Sequence, residues 1–395
     1  MHSREVVVLS GVRTPIGSFG KGLKDVPPVA LAAEVVRAAV ARAALDPAQV
    51  EHVCFGQVIN TEPRDLYLSR VAAIEAGCGE HTPAFNVNRL CGSGLQAVVS
   101  AAQAILLGDC TVAVAGGAES MSRAPYASAS QRFGARMGDA PMVDMLLGAL
   151  HDPFHRIHMG VTAENIAKRY GITREAQDAL AVESHRRAAR AIAEGRFDSQ
   201  LAPVMAPSRR GRIPFVRDEH VRADISLDDL AGLKPVFAQD DGTVTAGNSS
   251  GINDGAAALV LMERASAQAC GARPLARLVA YAHAGVDPRY MGIGPIPATR
   301  AALDKAGLSA ADMDVIESNE AFAAQALAVA RELELDPDKL NPNGSGIALG
   351  HPVGATGAII AVKALHELHR VGGRYALVTM CIGGGQGIAA IFERI

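Results

Sequence analysis

The chain has 395 residues, longer than the roughly 250 to 300 at which a single core stops growing, so two or three domains are expected. Hydrophobic residues make up 49% and aromatic residues only 4%, with 40 glycines and no tryptophan, which points to closely packed helices and strands in an alanine-rich interior. A formal net charge of −3 excludes a general attraction to nucleic acid or an anionic membrane, and six cysteines without a CxxC pair do not make a secreted disulfide scaffold. A reducing cytoplasm is the expected compartment. Met1-His2-Ser3-Arg4-Glu5 leads straight into a strand with no apolar signal stretch, and charges such as Glu34 and Lys363 interrupt the longer apolar runs, so no bilayer span is expected.

The first strand is expected over 6–9, ending in Ser10-Gly11, followed by a loop to Pro28, a helix over 29–44 and a strand over 52–57. A lead-in over 84–87 then reaches Cys91, small residues follow, and an alanine-rich helix runs over 95–107. The next strand, 112–115, closes in Gly116-Gly117. Strands alternating with helices predict a mainly parallel sheet covered on both faces. Segment 121–251 is polar and irregular, with a helix over 173–194 and a basic stretch over 209–222, and reads as an insertion before a strand over 256–262.

The second half repeats the first. Leu45–Val53 matches Leu308–Ile316 at a shift of 263 positions, and the same shift pairs Gly94 with Gly357, Val99 with Val362, Ala101 with Ala364 and Ala113 with Ala376. A duplicated α/β unit follows, with an N-terminal domain over 1–272 (core 1–120 and 252–272, insertion 121–251) and a C-terminal domain over 273–395. Its pseudo-symmetry brings the helix starts near Cys91 and Gly354 to one central region.

Chemistry concentrates at glycine turns. Cys91, at the first turn of a helix, faces unpaired N–H groups and the positive end of the macrodipole, which should lower its pKa; a buried packing cysteine is the plain alternative. His351 sits between Gly350 and Pro352, at the place matched by the repeat to the Cys91 turn. Cys381 closes a strand over 375–380 and runs into Ile382-Gly383-Gly384-Gly385. Asn319 follows a strand and either positions a water or caps the next helix. The four other cysteines lack such turns and read as packing residues. His151, His155 and His158 lack the partners of a zinc site, and neither a GxxxxGK[ST] nor a strand-GxGxxG-helix fingerprint appears, which disfavours metal and nucleotide chemistry. A thiolate can carry an acyl group, a histidine can activate it, a second thiolate can take a proton α to a thioester, and the N–H groups of Cys91 and Gly383 can hold an oxyanion. That set suffices for Claisen condensation and its reverse.

Seven motifs carry a resemblance across nearly the whole chain: NRLCGSGLQAV at Asn88, GGAESMS at Gly116, HMGVTAEN at His158, GTVTAGNSSGINDGAAA at Gly242, NEAFAAQA at Asn319, GHPVGATGA at Gly350 and CIGGGQG at Cys381. In this order they resemble the thiolases, most of all the bacterial short-chain β-ketothiolases of the acetyl-CoA acetyltransferase class. The resemblance implies duplicated α/β/α units forming a five-layer αβαβα fold with an inserted loop domain. It implies Cys91 as acyl-accepting nucleophile, His351 as its base and Cys381 as acid/base at the α-carbon. Asn319 would hold a water that forms one oxyanion hole with His351, and the N–H groups of Cys91 and Gly383 would form the other. It places coenzyme A at His158, Arg222 and Ser250, and lines the acyl and pantetheine pocket with Met159, Phe237, Met291 and Phe322. Arg209, Arg210, Arg212 and Arg217 offer charge for a nucleotide phosphate or form a solvated loop. No permanently bound cofactor or metal is implied; the substrates and partners are acetyl-CoA, acyl-CoA and CoA, with a homotetramer paired through a loop around 122–139. Ser318, where alanine is common, and Val353, where isoleucine is, depart from the family pattern. A decarboxylating ketosynthase, which has histidine in place of the second cysteine, and a non-catalytic acyl-CoA carrier are the competing readings.

Overall fold

In the computed structural model, which describes residues 4–209, 211–238 and 241–395, strand β1 (Val6–Arg13) sends side chains alternately into two cores. Val6 and Val8 join Ala113, Ala115, Leu259 and Leu261, while Val7, Leu9 and Val12 join Val114, Val260 and Met262. The two-residue period of extended chain is the cause, and coverage of both faces is why the strand reads as a nearly continuous apolar run. It continues past Ser10-Gly11, where it was expected to stop, with a register shift between Val8 and Ser10.

The first half continues with α1 (Pro28–Arg42), β2 (His52–Gly56), α2 (Leu68–Glu75), β3 (Ala84–Val87), α3 (Ser93–Leu107) and β4 (Val112–Ser120). The insertion contributes α4 (Met159–Tyr170) and α5 (Arg174–Ala193), and β5 (Asn253–Glu263) completes the unit. The second half runs β6 (Ala276–Gly285), α6 (Pro295–Ala306), β7 (Val315–Ser318), α7 (Ala323–Glu332), α8 (Thr356–Val371), β8 (Tyr375–Ile382) and β9 (Gln386–Arg394).

The strands line up as β7-β8-β9-β6-β1-β5-β4-β2-β3, with the short strand Gly17–Ser18 beside β5. From the middle outward the two halves are the same: β1/β5 and β5/β4 antiparallel then β4/β2 parallel, against β6/β9 and β9/β8 antiparallel then β8/β7 parallel. They join where Val7 faces Arg277 and Val8 faces Ala276. The sheet is therefore mixed, correcting the expectation of a mainly parallel one: alternation of elements hid the fact that β8 returns as β9 through a three-residue turn, a connection only antiparallel neighbours permit.

Helices α3 and α8 lie in the middle layer, where Leu95, Val98, Ile359 and Val362 meet Leu259 of one half-sheet and Val378 and Met380 of the other. Val35, Val36 and Leu68 cover the outer face of the first half over Val53 and Phe55, and Ile296, Leu303 and Val329 cover the second over Ile316 and Leu377. These are the five layers the family resemblance implied. The run Leu90–Leu107 is long and apolar enough to cross a membrane by length and composition, contrary to the expectation that no segment is, but here it is the mostly buried middle-layer helix.

Gly94 and Gly357, paired by the repeat, are where α3 and α8 touch. A Cβ on Gly94 would stand 2.7 Å from the Ala358 nitrogen, and one on Gly357 2.3 Å from the Leu95 nitrogen. Gly357→Ala is expected to destabilise the chain by about 1–3 kcal/mol in urea unfolding, the usual cost of overpacking; wild-type stability would mean the helices separate freely. The same crowding explains why β4 runs on through Gly116-Gly117 instead of ending there: a Cβ on Gly117 would meet the Gly354 carbonyl oxygen at 2.3 Å.

Candidate active site

The crossing of α3 and α8 sets their starts side by side. Ahead of α3, Leu90 is held at φ 45°, an uncommon conformation for a branched residue, by bonds that over-determine the turn. Its N–H donates to Asn88 Oδ1 (2.9 Å), its carbonyl accepts from Ser93 Oγ (2.6 Å), and Ser93 Oγ accepts from Arg89 N–H (2.8 Å). Cys91 follows, partly exposed as a residue but with its thiol enclosed by protein. Burial pushes that thiol up to about 11, against the pull of the Gly383 and Cys91 N–H groups, and the charge of Glu119 raises it further. This corrects the expectation of a lowered pKa: desolvation outweighs the helix start, so the resting group is a thiol and a base is required.

His351 is placed by Asn253, whose Oδ1 accepts the His351 N–H (2.9 Å). Its Nδ1 lies 2.7 Å from Thr356 Oγ1, which itself donates to the Pro352 carbonyl at 2.9 Å. The hydroxyl proton being used there, Thr356 accepts from Nδ1–H, which assigns the tautomer and leaves Nε2 as a bare acceptor. Nε2 is buried and has no hydrogen-bond partner. Burial lowers the imidazole pKa to about 4, so it is neutral at pH 7.

Cys381, in the last turnward residues of β8, is fully buried in a cluster with Met159, Val244, Met291, Ala321 and Phe322, against which Phe237 packs. Burial and then the charge of Cys91 hold its thiol well above the usual range. Asn319, fully buried just after β7, has neither Oδ1 nor Nδ2 paired, and α7 begins without a side-chain cap. Of its two expected roles, capping is excluded. An amide with both ends unmet in a closed site calls for a small polar guest.

His158 caps α4, accepting the Gly160 N–H at Nδ1 (3.0 Å), and stacks on Phe237 with ring centroids 4.6 Å apart. Phe237 in turn meets Phe322 edge-on at 6.5 Å. Burial, then the charge of His151, lowers the His158 pKa to about 4. Ser250 donates its N–H to the Ala321 carbonyl (2.9 Å), which joins it to the cluster that Met159, Met291 and Phe322 form with Cys381 and against which Phe237 packs. Arg222 stands apart, exposed, its N–H on His185 Nδ1 (3.1 Å), beside a hollow of ≈ 560 Å³ shared with Ala223, Ile225, Leu230 and Leu233. Arg212 turns back onto the Met205 carbonyl of its own hairpin (3.0 Å), and Arg210 lies outside the described residues. Three residues that hold the site, Asn253, Thr356 and Glu119, stood inside the recognised motifs without a role; only their contacts reveal one.

A duplicated five-layer fold with two cysteines, a neutral imidazole and an unsatisfied amide at its centre is that of an acyltransferase working on thioesters. The chain belongs to the thiolase family: residues 6–265 match the model of the thiolase N-terminal domain and residues 272–394 that of the C-terminal domain. It is similar to the "Beta-ketothiolase BktB" of Cupriavidus necator, 67% identical over 393 residues and 100% of both chains. An acetyl-CoA acetyltransferase of the same organism is 49% identical over 99% of both. Among solved structures, the Bacillus anthracis acetyl-CoA acetyltransferase superposes with a TM-score of 0.97 at 48% identity, covering 100% of this chain and 99% of that one. Human mitochondrial 3-ketoacyl-CoA thiolase in complex with CoA gives 0.96 at 43% identity, over 99% of this chain and 98% of that one.

Proposed function

We propose that the chain is a β-ketothiolase of the acetyl-CoA acetyltransferase type, joining acetyl-CoA to an acyl-CoA by Claisen condensation and cleaving 3-ketoacyl-CoA in reverse through an acyl-cysteine. The carrying observation is that Cys91, from the first repeat, packs in one cluster with Val353 of the turn that carries His351 and lies within reach of the Gly383 N–H of the Cys381–Gly383 turn, both from the second. Nε2 takes the Cys91 proton, the thiolate attacks the acyl-CoA carbonyl, and the C–S bond to coenzyme A breaks. Cys381 gives its proton to the departing CoA thiolate. A thiol held so high in pKa yields a strongly basic thiolate, suited to take the α-proton of the incoming acetyl-CoA. The resulting enolate attacks the acyl-Cys91 carbonyl, a C–C bond forms as the C–S bond breaks, and the imidazolium returns its proton to Cys91.

Charge on oxygen is met twice. The Cys91 and Gly383 N–H groups serve the tetrahedral intermediate, and a water on Asn319, together with His351 Nε2–H⁺, serves the enolate. That water satisfies the amide left unpaired. Coenzyme A lies on the inserted loop domain, 121–251, of the N-terminal domain 1–272, held by His158, Arg222 and Ser250, with its pantetheine and acyl group along Met159 and Phe237 and along Met291 and Phe322 of the C-terminal domain. The C-terminal domain, 273–395, supplies His351 and Cys381. No resident cofactor takes part. The chain works in the cytoplasm as a homotetramer, in which the pair of short strands Tyr126–Ala127 and Val143–Asp144 and the exposed Phe133 (94%) and Met137 (95%) find cover.

Mass spectrometry of peptides after incubation with acetyl-CoA should find one acetyl group, on the Cys91 peptide, and none in Cys91→Ala. Covalent label elsewhere, or no thiolysis of acetoacetyl-CoA by the wild-type protein, would overturn the assignment.

A further inference from the structure

Glu119 lies in the GGAESMS motif, and the chemistry above leaves it without a task. It sits on β4, fully buried, near enough to Cys91 for its charge to act on that thiol. Its carboxylate gathers three backbone donors from two separate segments: Oε1 accepts the Ile59 N–H (3.1 Å), and Oε2 accepts those of Val58 (3.0 Å) and Gly354 (2.9 Å). Gly354 belongs to the turn that carries His351 and opens α8. Val58 and Ile59 follow β2 and pack with Val353, Met121 and Cys91 in one apolar cluster. A single side chain from the first repeat thus ties the histidine's turn to the wall beside the cysteine. The fit is close: a Cβ on Gly354 would stand 2.4 Å from Oε2.

We propose that Glu119 is a positioning residue for the thiolase reaction, setting the spacing of Cys91 and His351 through the Gly354, Val58 and Ile59 N–H groups and placing a titratable charge near the nucleophile. The proposal rests on the assignment of Cys91 as nucleophile and His351 as its base. A carboxamide at this position cannot hold all three donors, because it has one accepting oxygen and presents an NH₂ where N–H groups point, and a shortened carboxyl does not reach them. The titratable groups whose charges reach Glu119 and its surroundings are few. Asp65 raises its pKa, and Cys91 feels its charge from the start of α3. Asp254, on neighbouring β5, is engaged instead by Ser122 N–H (2.9 Å) and Oγ (2.6 Å). His351 turns its Nδ1 to Thr356. Burial pushes the Glu119 carboxyl up to about 8, with the three N–H groups pulling the other way. Above that pH it is ionised, and its negative charge opposes formation of the Cys91 thiolate; below it the opposition disappears.

The test uses the full chain with Glu119→Gln and Glu119→Asp, following acetoacetyl-CoA thiolysis and the rate of Cys91 alkylation by iodoacetamide against pH. Glu119→Gln is expected to lose about 100-fold in kcat with KM unchanged, the scale of a displaced catalytic pair. Its alkylation profile is expected to move to lower pH, since a charge that raised the thiol pKa is gone. Glu119→Asp is expected to lose kcat while its alkylation profile stays near wild type, the charge being kept and the reach lost. A merely structural role would not lower the thiol pKa. Wild-type kcat in Glu119→Asp, or a folded Glu119→Gln with an unshifted profile, overturns the proposal. Acetyl label on a residue other than Cys91 in the wild-type protein instead overturns the assignment beneath it.

Discussion

Cys381→Ala is expected to take up acetyl groups on Cys91 when given acetyl-CoA, yet to lose about 10²- to 10⁴-fold in condensation and thiolysis, the usual contribution of a positioned acid/base. The split follows from where the two thiols stand. In the proposed reaction Cys91 receives its activation from His351, whose Nε2 is bare because Nδ1–H is committed to Thr356 at 2.7 Å. Removing Cys381 leaves that pair untouched. What disappears is the thiol that sits in the apolar cluster with Met159, Met291 and Phe322, and with it the proposed base for the α-proton. Quenched-flow acetylation followed by a steady-state assay separates the steps. Unimpaired condensation would remove Cys381 from the mechanism, and loss of acetylation would give it a role in the first half-reaction beyond protonating the leaving group.

Asp218→Ala is expected to cost about 3–5 kcal/mol of stability, the effect of stripping one partner from a buried ion pair. Arg13, at the end of β1, is fully buried and bonded to both Asp218 oxygens, Nη1 to Oδ1 at 2.7 Å and Nη2 to Oδ2 at 2.9 Å. Its Nε donates to Gln200 Oε1 at 2.7 Å, and the guanidinium lies 4.8 Å from the centre of the Phe197 ring. Without Asp218 the guanidinium stays buried without its counter-charge, and Ile16 N–H loses the acceptor it meets at 2.9 Å. Because Asp218 pins the inserted segment onto the sheet just ahead of Arg222, KM for coenzyme A thioesters is expected to rise as well. Urea unfolding and the KM of acetoacetyl-CoA check both parts. The pair Arg13→Met with Asp218→Leu should recover most of the stability, as apolar replacements of buried ion pairs do. A double variant as unstable as the single one would show that packing, and not an uncompensated charge, is at stake.

Much of the architecture was legible in local pattern. The shift of 263 positions predicted two units with matching turns, and the helix expected over 173–194 appears as Arg174–Ala193 with Thr173 at its cap. Other expectations failed where a residue type admits two physical uses. Gly116-Gly117 reads as a strand end because glycine breaks strands, yet it also permits close approach of a neighbouring backbone, which is what Gly354 requires here. The mixed sheet was hidden because element alternation says nothing about strand direction. Cys91 was expected to have a low pKa because the helix start is visible in sequence while burial is not.

What the sequence by itself determined is the set of candidate reacting groups and the frame that repeats: Cys91, His351, Asn319 and Cys381 at turns, each after or before a regular element, in the thiolase order. Those are properties of residue type and spacing. Only the tertiary structure decided the protonation states and the supports. The bare Nε2 of His351 depends on Thr356 and Pro352, the unmet amide of Asn319 on the closing of the core around it, and the high pKa of both thiols on desolvation. The three N–H groups on Glu119 come from segments about 60 and 235 positions away, a meeting no local pattern encodes, because it is made where β4, the residues after β2 and the turn that opens α8 pack together.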